Sequence, residues 1–169
     1  MNRVPAPVSL QELCDREAIR DLKQAYATGV DRRDWPLYRS VFADEVAFDF
    51  SDFGDFHDTM SADAWVALVK GNLANFDATQ HVFTGHEILF EQGGDAATCV
   101  TQMTARHQLG DEAQLMGGYY TERMVRGPDG WKIAACKLNI TWEEGSRDLF
   151  ERAAALGPRA RRDVGMQGV

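Results

Sequence analysis

Asp31, His81 and His107 are the residues of this chain whose types best suit proton transfer near neutral pH. A histidine ring has an ordinary pKa close to neutrality, and a carboxylate bonded to it both orients the ring and raises its basicity. The chain has only four histidines, so such a pairing is restricted to few positions. Tyr26, five residues before Asp31, adds a phenol that can donate a hydrogen bond. Together these residues form a candidate acid–base set, provided that the fold brings them together.

Each of these residues also has an ordinary structural explanation. Asp31 begins the charged run Asp31-Arg-Arg-Asp34, which suits a solvated helix end, and a tyrosine on an apolar helix face usually belongs to the core. An inward histidine on a strand, such as His107, is more often a hydrogen-bonded core residue than a catalyst. Strand alternation places His86 on the face opposite His81, so only one of these two is expected to face a pocket.

A long amphipathic helix is expected to position Tyr26 and Asp31. Ser9-Leu-Gln-Glu12 has the spacing of a capping box, and apolar residues then recur at three- and four-residue steps to about Arg32. A short helix capped by Asp34 is predicted to run through Phe42. Residues 46–50 predict a strand, and residues 62–73 predict a third helix.

The second half of the chain is rich in β-forming residues and carries His81 and His107. Four such runs, 80–92, 97–109, 114–126 and 130–142, are separated by glycine-rich turns, and a last amphipathic segment covers about 146–156. Helices followed by an antiparallel meander are typical of an α+β domain with helices on one face of a curved sheet. We expect one domain over 9–156, a flexible lead-in over 1–8 and a flexible tail over 157–169.

Composition and missing motifs exclude several function classes. A net charge of -8 argues against nucleic acid and anionic membrane surfaces as partners. The three cysteines lack metal-ligand spacing and are expected to be reduced core thiols, and the N-terminus lacks a signal-peptide core, so we expect a cytoplasmic protein. His57-Asp58, near Asp52 and Asp55, is interpreted as a polar loop rather than a metal site.

Four motifs occur in order over nearly the whole chain: Gly29-Val-Asp31-Arg-Arg-Asp-Trp35, Thr79-Gln-His81, His107-Gln108, and Asp129-Gly-Trp131-Lys132 through Trp142. On these motifs the sequence resembles the SnoaL-like branch of the nuclear transport factor 2-like superfamily. Within that branch it is similar to scytalone dehydratase, bile-acid 7α-dehydratase and hexachlorocyclohexane dehydrochlorinase. The resemblance implies a cone in which a curved, mostly antiparallel sheet wraps a long N-terminal helix. It also implies a deep apolar pocket that needs no cofactor or metal.

The resemblance also implies roles for individual residues. Asp31 and His81 correspond to the base pair of the eliminating members, while His107 and Tyr26 correspond to assisting groups. Either His107 or Tyr26 would donate a proton to the departing hydroxyl or polarise the carbonyl. Two tyrosines of scytalone dehydratase correspond here to Val30 and Phe50, which predicts a different substrate. The residues expected to line the pocket are Val30, Phe50, Phe53, Ala105, Leu138, Ile140 and Phe150.

The leading hypothesis is a cofactor-independent lyase that acts on a small hydrophobic cyclic molecule. The alternatives are a non-catalytic module that binds such a molecule, or an isomerase or ring-hydroxylase subunit with another base or a partner chain. A homo-oligomer, dimer or trimer, is expected from the resemblance. Hydrogen-bond contact between Asp31 and His81 beside one cavity would favour the enzyme.

Overall fold

Helix α1 (Leu10–Arg32) begins and ends where local chemistry requires. The Ser9 hydroxyl accepts the Glu12 N–H at 3.1 Å, so the predicted cap is confirmed. At the other end Arg33 adopts a left-handed conformation (φ 57°), and its N–H returns to the carbonyls of Gly29 and Val30. The buried side of this helix carries Lys23 and Tyr26 toward the sheet, and Asp31 lies in its last turn.

The structure, a computed structural model, describes residues 8–160. The elements that follow α1 are α2 (Trp35–Ser40), β1 (Phe42–Phe50), α3 (Ser51–Gly54), β2 (Phe56–Ser61), α4 (Ala62–Leu73), β3 (Ala78–Phe90), β4 (Ala96–Leu109), β5 (Glu112–Gly127), β6 (Gly130–Glu144) and α5 (Asp148–Leu156).

The six strands form one curved sheet in the order β2-β1-β6-β5-β4-β3. Only the β1–β6 pairing is parallel among the described strands; the others are antiparallel. The long α1 helix packs against this sheet, and the predicted α+β class with a mostly antiparallel curved sheet is confirmed. The main core lies between α1 and the sheet.

Helix α2 is held close to α1 by the absence of a side chain at Gly29. A Cβ added there would lie 2.7 Å from the backbone nitrogen of Tyr38, which is too short for any contact. The close approach places the Tyr38 ring in the core. Helix α2 ends at Ser40, so the prediction that it runs through Phe42 was wrong: Phe42 starts β1 and pairs with Ile133 of β6.

The segment interpreted as a polar loop after β1 is instead ordered as α3 and β2. Strand β2 pairs with β1 from Phe56, opposite Phe50, to Ser61, opposite Glu45. Phe56 and Met60 are partly buried against the core, while His57, Asp58 and Thr59 are exposed. The prediction failed because a half-exposed edge strand with Asp and His on its outer side has the composition of a loop.

A bulge in β3 changes the face on which His86 lies. Gly85 has φ 60°, a conformation that glycine adopts freely, and the register between β3 and β4 shifts between Thr84 and Glu87. His86 therefore shares the inner face with His81, contrary to simple alternation, and its Nδ1 lies 3.1 Å from Thr101 Oγ1. The expectation that the two rings face opposite ways was wrong.

The predictions for the two chain ends lie partly outside the residues that the structure describes. Residues 1–7 of the expected lead-in and 161–169 of the expected tail are outside the described range. Within that range the Arg159 N–H donates to the Ala74 carbonyl at 2.9 Å.

Cys99 and Cys136 are buried free thiols as expected, but Cys14 is exposed. Among residues 8–160, no helix combines the length and apolarity needed to cross a bilayer.

Candidate active site

A mainly apolar cavity of about 260 Å³ opens between the inner face of the sheet and helices α1, α4 and α5. His81, His107 and Tyr26 line it, and Asp31 lies behind His81. Ile140 lies outside the lining, and its backbone N–H donates to Asp52 instead. The other residues expected to contact substrate all line the cavity: Val30, Phe50, Phe53, Ala105, Leu138 and Phe150.

Asp31 and His81 are joined by a short hydrogen bond at the cavity wall. Asp31 Oδ1 lies 2.7 Å from His81 Nδ1, and Asp31 Oδ2 accepts the backbone N–H of His81, also at 2.7 Å. The Thr79 hydroxyl donates to Oδ1 at 3.0 Å. Since the carboxylate is an acceptor, Nδ1 carries the proton and Nε2 of neutral His81 has a free lone pair. The carboxylate thus holds the ring in the tautomer that a base requires.

His107 is a second cavity histidine, and it is held neutral. Its side chain is almost fully buried, and its Nδ1 lies 3.0 Å from Oε1 of Gln114 on β5. Burial, followed by the proximity of His81, lowers the pKa of His107 to about 3. Near neutral pH this ring has no second proton to give, which argues against the proton-donor role considered for it.

The depressed pKa of His107 predicts a loss of stability in mild acid. The unfolded ring protonates near its ordinary pKa of 6.5 and the folded ring only near 3, so protons bind the unfolded chain preferentially as the pH falls below 6.5. Because each pH unit is worth about 1.4 kcal/mol, we expect the free energy of unfolding to fall by roughly 2 kcal/mol between pH 6.5 and about pH 5. Measured by urea unfolding, the free energy of unfolding of His107→Gln should fall by roughly 2 kcal/mol less over this pH range than that of the parent chain. His57→Gln, at an exposed position, is the control, and equal pH slopes for His107→Gln and the parent would contradict the assignment.

Three buried tyrosines, Tyr26, Tyr38 and Tyr120, lie together in the wall of the cavity. The Tyr26 ring centroid lies 4.9 Å from that of Tyr38 and 6.0 Å from that of Tyr120, and the indole N–H of Trp65 donates to the Tyr38 hydroxyl at 3.0 Å. Burial raises the pKa of all three phenols, so they stay protonated and serve as neutral donors. All three rings line the cavity, where their O–H groups can meet a ligand oxygen.

A buried ion pair lies next to two of these tyrosines. Lys23 Nζ contacts Glu122 Oε1 at 2.6 Å with both side chains fully inaccessible, and the ammonium lies over the rings of Tyr26, Phe83 and Tyr120 at 4.4 to 4.9 Å from their centroids. Burial raises the pKa of Glu122, and its Oε2 lacks a partner within the described chain. Lys23 lies about one helical turn before Tyr26 on α1, and Glu122 lies two residues after Tyr120 on β5.

The mouth of the cavity is bounded by Phe53 of α3 and Phe150 of α5, whose ring centroids are 5.0 Å apart. The Arg147 guanidinium lies 4.9 Å from the Phe53 ring centroid, and it donates to the carbonyl of Asp52 at 2.9 Å and to that of Phe53. Arg147 therefore ties the two sides of the mouth together.

A known domain family matches most of this chain. The model of the SnoaL-like domain family matches residues 11–137, which is most of the chain. The chain belongs to this SnoaL-like family. Because the match begins inside α1 and ends within β6, it includes Tyr26, Asp31, His81 and His107.

Solved structures share the same SnoaL-like fold. A protein from Kribbella flavida is 28% identical with a TM-score of 0.75, and the match covers 85% of this chain and 98% of that one. A candidate scytalone dehydratase from Novosphingobium aromaticivorans is 20% identical with a TM-score of 0.71, covering 80% and 89%. A hexachlorocyclohexane dehydrochlorinase from Novosphingobium barchaimii is 20% identical with a TM-score of 0.69, covering 82% and 94%. At these low identities the last two show a common fold.

The cavity wall and the buried residues packed behind it include groups that the sequence did not single out. Tyr38, Tyr120 and Trp65 resemble ordinary core aromatics, and Gln114 and the Lys23–Glu122 pair resemble ordinary surface residues in a one-dimensional pattern. Strand parity is the one available signal, since Gln114 and Glu122 share inward parity with Tyr120. Partners 99 residues apart, such as Lys23 and Glu122, leave no local signature.

Proposed function

We propose that this SnoaL-like protein is a cofactor-independent lyase that removes water from a small hydrophobic cyclic substrate. The observation that carries the proposal is the 2.7 Å contact between Asp31 and His81 Nδ1 beside an apolar cavity. This arrangement leaves His81 Nε2 as a base for a ligand proton. The dehydratase and dehydrochlorinase names of the structural neighbours agree with an elimination.

The proposed reaction starts with proton abstraction by His81 Nε2 from a carbon next to a carbonyl group. Asp31 stabilises the imidazolium that forms, and this attraction is stronger in an apolar cavity than in water. The tyrosine hydroxyls, Tyr26 first among them, donate to the carbonyl oxygen as negative charge develops on it. The hydroxyl group on the neighbouring carbon then takes the proton from the His81 imidazolium and leaves as water, which gives the unsaturated product and restores neutral His81.

The volume and lining of the cavity set the substrate class. A cavity of about 260 Å³ suits a compact molecule of one or two rings, and its aromatic walls favour an apolar ring skeleton. The second candidate, a non-catalytic binding module, uses the same cavity but gives no role to the oriented dyad. An isomerase would return the proton to the substrate without loss of water.

The test uses β-hydroxy-α-tetralone, whose dehydration product isomerises to fluorescent naphthol. Purified protein is expected to release naphthol catalytically, above the uncatalysed rate. A monocyclic β-hydroxycyclohexanone, followed through the absorbance of cyclohexenone, tests the smaller ring. If both compounds bind saturably but neither is dehydrated, the lyase proposal is rejected in favour of the non-catalytic binding module.

Removing the Tyr26 hydroxyl should affect the reaction more than binding. Tyr26→Phe keeps the packed ring and deletes one donor to the developing oxyanion, so kcat should fall about 10²-fold while KM changes little. Tyr119→Phe is the matched control, because its side chain lies on the opposite face of β5 from Tyr120. Equal kcat values for the two variants would remove Tyr26 from the mechanism.

A further inference from the structure

We propose that Gln114 fixes His107 as a hydrogen-bond acceptor, so that the cavity selects ligands that carry a hydroxyl group. The inference rests on the proposed elimination for its catalytic meaning, although the ligand preference itself can be measured without turnover. Gln114 would be a positioning residue, since it acts on the ligand through His107.

The orientation of the Gln114 amide follows from its surroundings. The side chain is fully buried, and its Nε2 lies 3.1 Å from Glu143 Oε1 and 3.3 Å from the Leu115 carbonyl oxygen. Both partners are acceptors, so the NH₂ group must face them and Oε1 must face His107. An amide oxygen has no proton, and His107 Nδ1 at 3.0 Å must therefore donate.

The tautomer of His107 is the consequence. A neutral imidazole carries one proton, and with that proton on Nδ1 the other nitrogen, Nε2, is a bare acceptor. The low pKa of His107 keeps the ring neutral at physiological pH. The ring itself is held by Phe76 and Phe150, with centroid distances of 5.3 and 4.8 Å.

Glu143, which accepts from the Gln114 amide, is itself bound by Arg147 at the mouth of the cavity. Arg147 Nε donates to both carboxylate oxygens of Glu143, at 3.0 and 3.1 Å, and the same guanidinium binds the carbonyls of Asp52 and Phe53. A continuous polar chain thus runs from the rim through Glu143 and Gln114 to His107. It keeps the amide from rotating.

Two bare acceptors then face one cavity, because His81 has the same tautomer and the two ring centroids are only 5.7 Å apart. A ligand with an O–H group can satisfy His107 while its acidic C–H faces His81. A halogen or methyl group in place of the hydroxyl leaves a buried acceptor unpaired, which is costly. The geometry therefore favours a cyclic β-hydroxy ketone over a halogenated ring.

The same arrangement assigns the fate of the proton. His81 Nε2 removes the proton from the carbon next to the carbonyl, and the electrons of that C–H bond pass into the enolate. They form the new C=C bond when the C–O bond breaks. The departing oxygen, held through its hydrogen by His107, takes the proton back from His81 and leaves as water. His107 begins and ends neutral, and the products are the unsaturated ketone and water.

The experiment compares ligand binding and histidine tautomers in the whole chain. Dissociation constants are measured by calorimetry for 2,2-dimethyl-3-hydroxycyclohexanone and 2,2,3-trimethylcyclohexanone, which have no C–H between the carbonyl and C3 and so cannot be dehydrated. ¹⁵N spectra report which nitrogen of His107 is protonated. We expect protonated Nδ1 and bare Nε2, and roughly tenfold tighter binding of the hydroxy compound, the value of one good hydrogen bond. Gln114→Leu should lose both the fixed tautomer and the preference while binding the methyl compound as before.

Gln108→Leu, on the same hairpin, is the control and should keep both properties, because the Gln108 amide bonds to Arg106 and to the Gly110 carbonyl, away from His107. If Gln114→Leu does not fold, His107→Phe, which keeps the aromatic packing, should lose the preference instead. A protonated Nε2 on His107, equal affinity for both ketones, or an undiminished preference in Gln114→Leu or His107→Phe would each overturn the inference. If the protein prefers the hydroxy compound but catalyses no dehydration, only the proposed lyase activity is rejected, and the inference about Gln114 and His107 stands.

Discussion

Asp31→Asn is expected to lower kcat for β-hydroxy-α-tetralone by about 10²–10⁴-fold with the fold intact. The Asn oxygen can still accept the backbone N–H of His81 in place of Asp31 Oδ2. The amide NH₂ then faces His81 Nδ1, which must become the acceptor and move its proton to Nε2. The ring loses its basic nitrogen on the ligand side and its carboxylate partner at the same time.

The measurement for Asp31→Asn is kcat together with the ¹⁵N signals of His81. The parent should show protonated Nδ1 and the variant protonated Nε2, and His81→Gln should lose as much activity as Asp31→Asn. Thr79→Val removes one neutral bond to Asp31 and should cost much less, since both contacts to His81 remain. Near-parental kcat in Asp31→Asn after the tautomer has changed would reject the dyad.

Lys23→Met is expected to destabilise the fold by about 3–5 kcal/mol, because it leaves Glu122 as an uncompensated buried charge. Glu122→Met should cost a similar amount by leaving the ammonium unpaired. The double variant Lys23→Met/Glu122→Met removes both charges and should unfold much closer to the parent than either single variant does, since apolar replacement of a buried pair is often neutral. Denaturant unfolding of the four proteins gives the coupling free energy directly.

The exposed pair Lys137–Asp49 supplies the comparison for Lys23–Glu122. Its contact distance is 2.8 Å, near that of the buried pair, but both side chains are solvent-exposed. Lys137→Met should change the unfolding free energy by less than about 1 kcal/mol. Single variants of Lys23 and Glu122 as stable as Lys137→Met would show that the buried groups do not interact as ions.

Much of the framework of the site was predictable because local rules apply to it. The Ser9 cap, the periodicity of α1 and the Ser61 cap of α4 each depend on residues within one helical turn. Strand parity alone correctly places His107 on the cavity face of β4, because β4 pairs with β5 without a bulge. The bulge at Gly85 broke the same rule for His86, since one extra residue reverses every side chain beyond it.

By itself the sequence determined the α+β class, the elements that carry Asp31, His81 and His107, and the family. Only the tertiary structure decided which nitrogen of each histidine is free, because the tautomer depends on acceptors from distant elements, Asp31 for His81 and Gln114 for His107. The same holds for the tyrosine cluster and the Lys23–Glu122 pair, whose members lie far apart in the chain. Hydrogen-bond direction and burial are properties of assembled neighbours, and no local pattern of residue types encodes them.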